Sequence, residues 1–327
     1  LFSGKCSRVI YPDAPWCFGD CYPFHVFHLI TGEAEHEADA LERYLKIYAK
    51  LTNGHGRGGD VLFRAQLAFY RGDISDAEVL AYKAAYLAES NKQSVVLLGA
   101  AYLLAEIALY KADTAGWQNA VHSMERAVSF EWKYNSITRA MADITIGNLF
   151  FELGNQAKIA RWLKNGEFSE GNILPFMINN ALFVHLSYLL QQGEYVKLLG
   201  KVQAILAEGL VREPLSQILA EINMAICYLG MGDREKAAAC TEHALGIALP
   251  DGLMYLFVGY SLILDGLVDQ IIQEKHPQLY ERFMDVKRRF ETSWDVLHNA
   301  MFRNELPSNL TAREYEVAKL AAKGLKN

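Results

Sequence analysis

At 327 residues the chain is longer than one usual compact core, so several domains or one extended array are expected. Hydrophobic residues at 51%, charged at 21% and aromatic at 12% exclude a disordered or collagen-like polymer, and only eight prolines interrupt a composition that favours helix throughout. A net charge of −6 excludes a protein whose whole surface grips nucleic acid, whereas residues 285–327, at +2, leave room for a local DNA-reading element.

Residues 1–30 place Pro12, Pro15 and Pro23 among Trp16, Phe18, Phe24 and Phe27, the pattern of an irregular, packed lead-in from an upstream region. No basic stretch precedes an apolar one, so no secretory signal is expected. Cys17, Cys21, His25 and His28 are spaced to share one helix face, but Gly19 and Pro23 break that helix, and no metal site is expected. Five cysteines in a chain of this length form neither a disulfide framework nor a zinc ribbon, which fits a reducing, cytoplasmic setting.

Residues 31–272 carry an internal repeat. Turn signals recur at Gly72-Asp73, Ala112-Asp113, Gly154-Asn155, Gly193-Glu194 and Gly232-Asp233, separated by 40, 42, 39 and 39 residues. Such spacing predicts an all-α solenoid of helix pairs, six or seven between Glu35 and Ile272, opened by the capping-type segment Thr31-Gly32-Glu33-Ala34. Seven residues before each turn stand Ala65, Ala105, Gly147, Leu186 and Ala225; five after it stand Ala77, Trp117, Ile159, Leu198 and Ala237. Small residues belong where helices cross closely, so these positions are expected in the core. The run from Asn53 to Asp60 holds four glycines whose amides, with His55, Arg57, Gly58 and Gly59, could cradle an anion at a helix start. It lacks the Lys-Ser/Thr of a P-loop, and a plain inter-helix loop is the alternative. The longest uncharged stretch, Gly171 to Gly193, contains Pro175, Asn179, Asn180, His185, Gln191 and Gln192, and so reads as buried helix rather than a membrane span.

The small residues around a Gly-Asp turn, clearest in Gly72–Ala88 and Gly232–Leu245, resemble the tetratricopeptide repeat, with a period near 40 in place of that family's 34. The resemblance implies a concave wall lined by the first helix of each pair. Its polar or aromatic members would be Gln66 and Tyr70, then Tyr102, Glu106 and Tyr110, then Asn148 and Glu152, then Asn180 and Ser187; the fifth pair would contribute the apolar Leu219, Ile222, Ile226 and Leu229. A small-molecule inducer, or a peptide or protein partner, would bind in that groove.

Residues 273–309 begin with apolar positions Leu279, Phe283, Val286, Phe290, Trp294, Leu297 and Met301 at steps of three and four, which predict one long amphipathic helix with Pro277 in its first turn. Its expected role is to cap the open end of the solenoid, with homodimerisation as the alternative. Asn304 to Asn309, containing Pro307, reads as a hinge.

The last segment, Leu310 to Asn327, has Thr311 and Glu314 in capping-box spacing and Gly324 as a helix stop. Leu310, Thr311, Arg313, Glu314, Glu316, Val317, Leu320, Ala322, Gly324 and Asn327 resemble the first helix of a LuxR-type helix-turn-helix domain. Helical repeats ahead of such a reader resemble the large MalT-like transcription regulators. That resemblance implies a signal-sensing region of a longer regulator, with promoter DNA bound only through the complete C-terminal domain and an upstream nucleotide-binding module elsewhere. The alternative is a docking scaffold without a transcriptional role. No nucleophile elbow, His-Glu-x-x-His or cofactor fingerprint occurs, so neither catalysis nor a cofactor is expected, and an enzyme would need a cluster of perturbed acids or histidines in one pocket.

Overall fold

A computed structural model describes residues 30–51, 54–129, 136–168, 173, 177–209, 211 and 213–302. The described residues are all-α, in helices packed as sequential pairs. The lead-in 1–29 with its Cys/His set, the hinge and the LuxR-like segment 310–327 lie outside the described residues.

The five turns read from the sequence share one geometry. At the first, the Gly72 N–H donates to Phe69 O at 2.8 Å and the Asp73 N–H to Ala68 O at 2.9 Å; the same two bonds recur at residues 112–113, 154–155, 193–194 and 232–233. This is a helix end closed by a left-handed residue, which satisfies carbonyls that the helix leaves unpaired. Four turns use glycine, while Ala112 adopts the same conformation at φ +55°. Around the turns form the pairs α2 (Gly59–Tyr70) and α3 (Ile74–Ser90), α4 (Ser94–Tyr110) and α5 (Thr114–Ser129), α6 (Ser136–Glu152) and α7 (Arg161–Asn165), α8 (Ile178–Gln191) and α9 (Tyr195–Ala207), and α10 (Pro214–Gly230) and α11 (Arg234–Ala248). All ten positions predicted for the core are buried, from Ala65 and Ala77 at 0% to Ile159 at 3% exposed, with Trp117 and Leu198 filling sites that alanine holds elsewhere. The register therefore fixes burial, and side-chain size follows local helix spacing.

Among the described residues five pairs form where six or seven were expected. A lone helix α1 (Ala34–Leu51) precedes them, and two short 3₁₀ turns (Leu249–Asp251 and Met254–Phe257), α12 (Leu267–Lys275) and α13 (Pro277–Phe302) follow. The third pair is irregular. In the other four pairs the second helix starts two residues past the turn residue, but α7 starts only at Arg161 and ends at Gly166, φ +72°. There Asn155 Oδ1 accepts the Ala157 N–H at 2.7 Å, a local bond that competes with helix initiation.

The expected open groove is closed by the chain itself. Asp251 accepts the Gly32 N–H at 2.7 Å and the Ala34 N–H at 3.0 Å, so α1 is capped by a carboxylate more than two hundred residues away. Arg71 adds a bond from Nε to the Asp251 carbonyl at 2.9 Å and an ion pair with Glu35. The segment between α11 and α12 then crosses the inner side of the first pairs, where the Tyr255 ring packs on Phe69, Tyr110 and Phe290 at centroid distances of 4.3, 5.9 and 6.2 Å.

Helix α13 begins at Pro277 as predicted but does not cap the end of the array. It runs along the turns of the first three pairs, turning Phe283, Val286 and Leu297 inward, and Lys287 pairs with Asp269 of α12 at 2.5 Å. Its polar side chains complete helix ends. Arg282 Nη2 donates to Arg71 O at 2.8 Å and to Asp73 at 2.9 Å, Trp294 Nε1 donates to Glu152 O at 2.7 Å, and His298 Nδ1 bonds Leu153 O at 2.7 Å. These carbonyls stand at the C-termini of α2 and α6, where they have no partner within the helix and where a cation is favoured. No helix among the described residues is long and apolar enough to cross a membrane.

Candidate functional site

The four-residue spacing of Tyr102, Glu106 and Tyr110 on α4, and of Asn148 and Glu152 on α6, puts each set on one helix face. The two faces meet. Asn148 Nδ2 donates to Tyr102 Oη at 2.8 Å and to Glu152 Oε1 at 3.1 Å, and the Tyr102 hydroxyl donates to the same Oε1 at 3.1 Å. Glu106, 7% exposed, turns its carboxyl to both Glu152 and Tyr102, while its Oε1 has no hydrogen-bond partner.

Burial, and then the charge of Glu152, raise the Glu106 carboxyl well above the usual carboxylate range. Burial also raises Glu152, against the hydrogen bonds from Glu106, Tyr102 and Asn148 that favour its charge. Two carboxyls so close cannot both ionise cheaply, so they hold a proton between them, with Glu106 the group that keeps it longer. Burial, with the field of these acids, also pushes the hydroxyls of Tyr70, Tyr102 and Tyr255 well above their ordinary values and raises that of Tyr260.

The concave-wall residues thus separate into groups. Tyr102, Glu106, Asn148 and Glu152 form one bonded cluster, with Tyr70 in its field. Gln66, Tyr70, Tyr102, Glu106, Asn180 and Ser187 are buried, and Tyr110, Asn148 and Glu152 half-buried, so none of the nine lines an open groove. Asn180 and Ser187 sit on α8, farther along the array. Leu219, Ile222 and Ile226 are core, as an apolar fifth unit requires. What sequence spacing missed is the cover, namely Tyr255, Tyr260 and the stacked Trp294 and His298 rings, 4.7 Å apart at 27°. The apolar stripe of α13 signalled a buried face without naming the surface that receives it.

The glycine loop buries Gly56, Gly58 and Gly59 and leaves Arg57 exposed. The Gly56 N–H donates to Gln93 Oε1 at 2.8 Å, and the Arg57 and Gly59 amides close local turns on Gly54 and Gly56. His55 Nδ1 meets the Tyr48 hydroxyl at 3.1 Å. Gly58 (φ +93°) is required for close approach, since a Cβ there would stand 3.1 Å from Ala84 O and 3.2 Å from Leu87 Cβ. Of the amides that an anion cradle would use, those of Gly56, Arg57 and Gly59 already donate within the protein.

A further pair, a buried histidine beside a half-buried lysine, escaped the sequence reading. His185, 2% exposed, bonds Leu163 O through Nδ1 at 2.9 Å and meets Lys201 Nζ through Nε2 at 3.0 Å. Burial, then the Lys201 charge, hold the imidazole below its usual range. It is therefore neutral, donating from Nδ1–H and accepting at Nε2. Burial also pushes the Cys227 and Cys240 thiols up to about 12.

The Glu106–Glu152 pair has the chemistry of a proton relay, but two surface recesses elsewhere on the molecule are lined by neither acid. Among the described residues no three His, Cys, Asp or Glu side chains group to hold a metal ion. No protein-family model, no curated protein and no solved structure matches the chain.

Proposed function

We propose that this chain is the signal-relaying region of a larger transcription regulator, a helical-repeat body whose long helix α13 is held against it and precedes the hinge and the LuxR-like segment in the sequence. One observation carries this reading: α13 is latched to the turns of the first and third pairs, by Arg282 at the first and by Trp294 and His298 at the third, each bonded to a helix-end carbonyl. A state that withdraws those three donors leaves the carbonyls unpaired, so docked and released α13 are discrete alternatives rather than a continuum. The signal is a small molecule or partner that binds the two states unequally and thereby repositions whatever follows residue 302. The filled inner wall supports this relay over a docking scaffold, which needs an open groove to receive a peptide.

The experiment selects DNA from a random pool with the full-length protein, wild type and Trp294→Ala. The relay reading expects one enriched sequence motif, retained with different affinity by the variant. Failure of both proteins to enrich any motif overturns the transcriptional reading, and equal affinity of the two overturns the role of α13.

A further inference from the structure

The third pair departs from the other four where its second helix should begin. Residues 155–160 run without helix, held by the Asn155–Ala157 bond, and α7 starts late. The volume that the missing helical turns would fill stays open beside α5. A recess of about 390 Å³ lies there, between α5, the 155–158 turn and Met301 at the end of α13. That is within the usual size range of small-molecule sites, about 300–1,000 Å³.

The chemistry of the recess is uneven. Trp117 is 1% exposed, and its indole N–H has no acceptor, a deficit that a folded protein ordinarily avoids. Phe150, packed edge-on against Trp117 at 5.2 Å, Val121 and Met301 add apolar wall. At the rim, the Asn155 oxygen is spent on the Ala157 N–H, which leaves its NH₂ as donor. Lys158 is exposed, makes no ion pair among the described residues, and is the only lining residue with a fixed positive charge. The acid at the rim, Glu125, faces His122 at 3.8 Å. The side chains that line the recess thus include an indole N–H without an acceptor, an amide NH₂ and an ammonium, together with an aromatic and aliphatic wall.

We propose that this recess binds a small organic carboxylate with an aromatic or branched aliphatic body. The carboxylate supplies the acceptor oxygens that Trp117, Asn155 and Lys158 lack, and the body covers Phe150, Val121 and Met301. Gln118 Nε2 already touches Met301 Sδ at 3.6 Å, so an occupant bridges α5 and the end of α13. The site is independent of the transcriptional reading, because its test reads binding alone.

The test is a titration of the ¹⁵N-labelled chain with phenylacetate and 4-methylpentanoate, with phenylacetamide as the neutral control, following the Trp117 indole N–H resonance. Trp117→Phe assigns that resonance; if the variant does not fold, Phe substitutions at the other four tryptophans assign it by elimination. The expected result is a saturable downfield shift with the carboxylates, weaker by about tenfold or more with the amide and with Lys158→Ala. An unmoved Trp117 resonance, an equal response to the amide, or unchanged affinity in Lys158→Ala would each overturn the proposal.

Discussion

Replacing Glu106 with glutamine should change how stability depends on pH. In the wild type the paired carboxyls retain a proton that the unfolded chain gives up near the ordinary value of 4.5. The folded pKa is raised, so the folded state binds more protons and stability falls as pH rises above that value, until the folded pair has itself titrated. Each retained proton costs about 1.4 kcal/mol per pH unit across that window. Glu106→Gln keeps a donor toward Glu152 and carries no proton to lose. The two proteins should be similarly stable near the ordinary carboxylate value, and the variant should gain by about 1.4 kcal/mol per pH unit as pH rises. Urea unfolding followed by tryptophan fluorescence, from about pH 5 to pH 8, measures the difference. Glu106→Ala is the control: it leaves a cavity and unpaired neighbours, so it should sit about 2–4 kcal/mol below Glu106→Gln while sharing that variant's altered pH dependence. Parallel pH profiles for wild type and Glu106→Gln would refute the shared proton.

Other expectations follow from single positions. Ala112→Gly should stabilise the chain by about 0.5–1 kcal/mol in urea unfolding, since it removes the left-handed strain of an L-residue at φ +55° at some cost in unfolded-chain entropy. Gly58→Ala should destabilise by about 1–3 kcal/mol, because its Cβ meets Ala84 O at 3.1 Å in a conformation that alanine resists. His185 has a folded pKa depressed below 6.5, so its contribution is present above pH 6.5 and is lost as pH falls through the folded value; His185→Gln should flatten that acid-side loss in the same assay.

The repeat was legible because its determinants are local. A residue able to take positive φ ends each first helix, and the positions seven before and five after must be buried wherever a pair stacks, which is why Trp117 and Ala77 share a register despite their sizes. The acid cluster was half legible: offsets from the turns named Tyr102, Glu106, Asn148 and Glu152, and the structure bonds them to one another. Their surroundings were not legible, since the open groove assumed that nothing returns to the inner wall. Closure depends on contacts such as Asp251 with Gly32, or His298 with Leu153 O, whose partners are carbonyls and amides that every residue carries. No side-chain pattern announces such a pairing. The shortened α7 was readable in principle from Asn155 and Gly166, yet an even spacing of turns concealed it.

Amide hydrogen exchange of the chain, wild type against a Trp294→Ala/His298→Ala variant, tests most directly whether α13 is a latched element. The account predicts that residues 279–302 are protected in the wild type and lose protection selectively in the variant, while α10 and α11 exchange as before. Unchanged protection of residues 279–302 in the variant, or equal loss throughout the array, would contradict it.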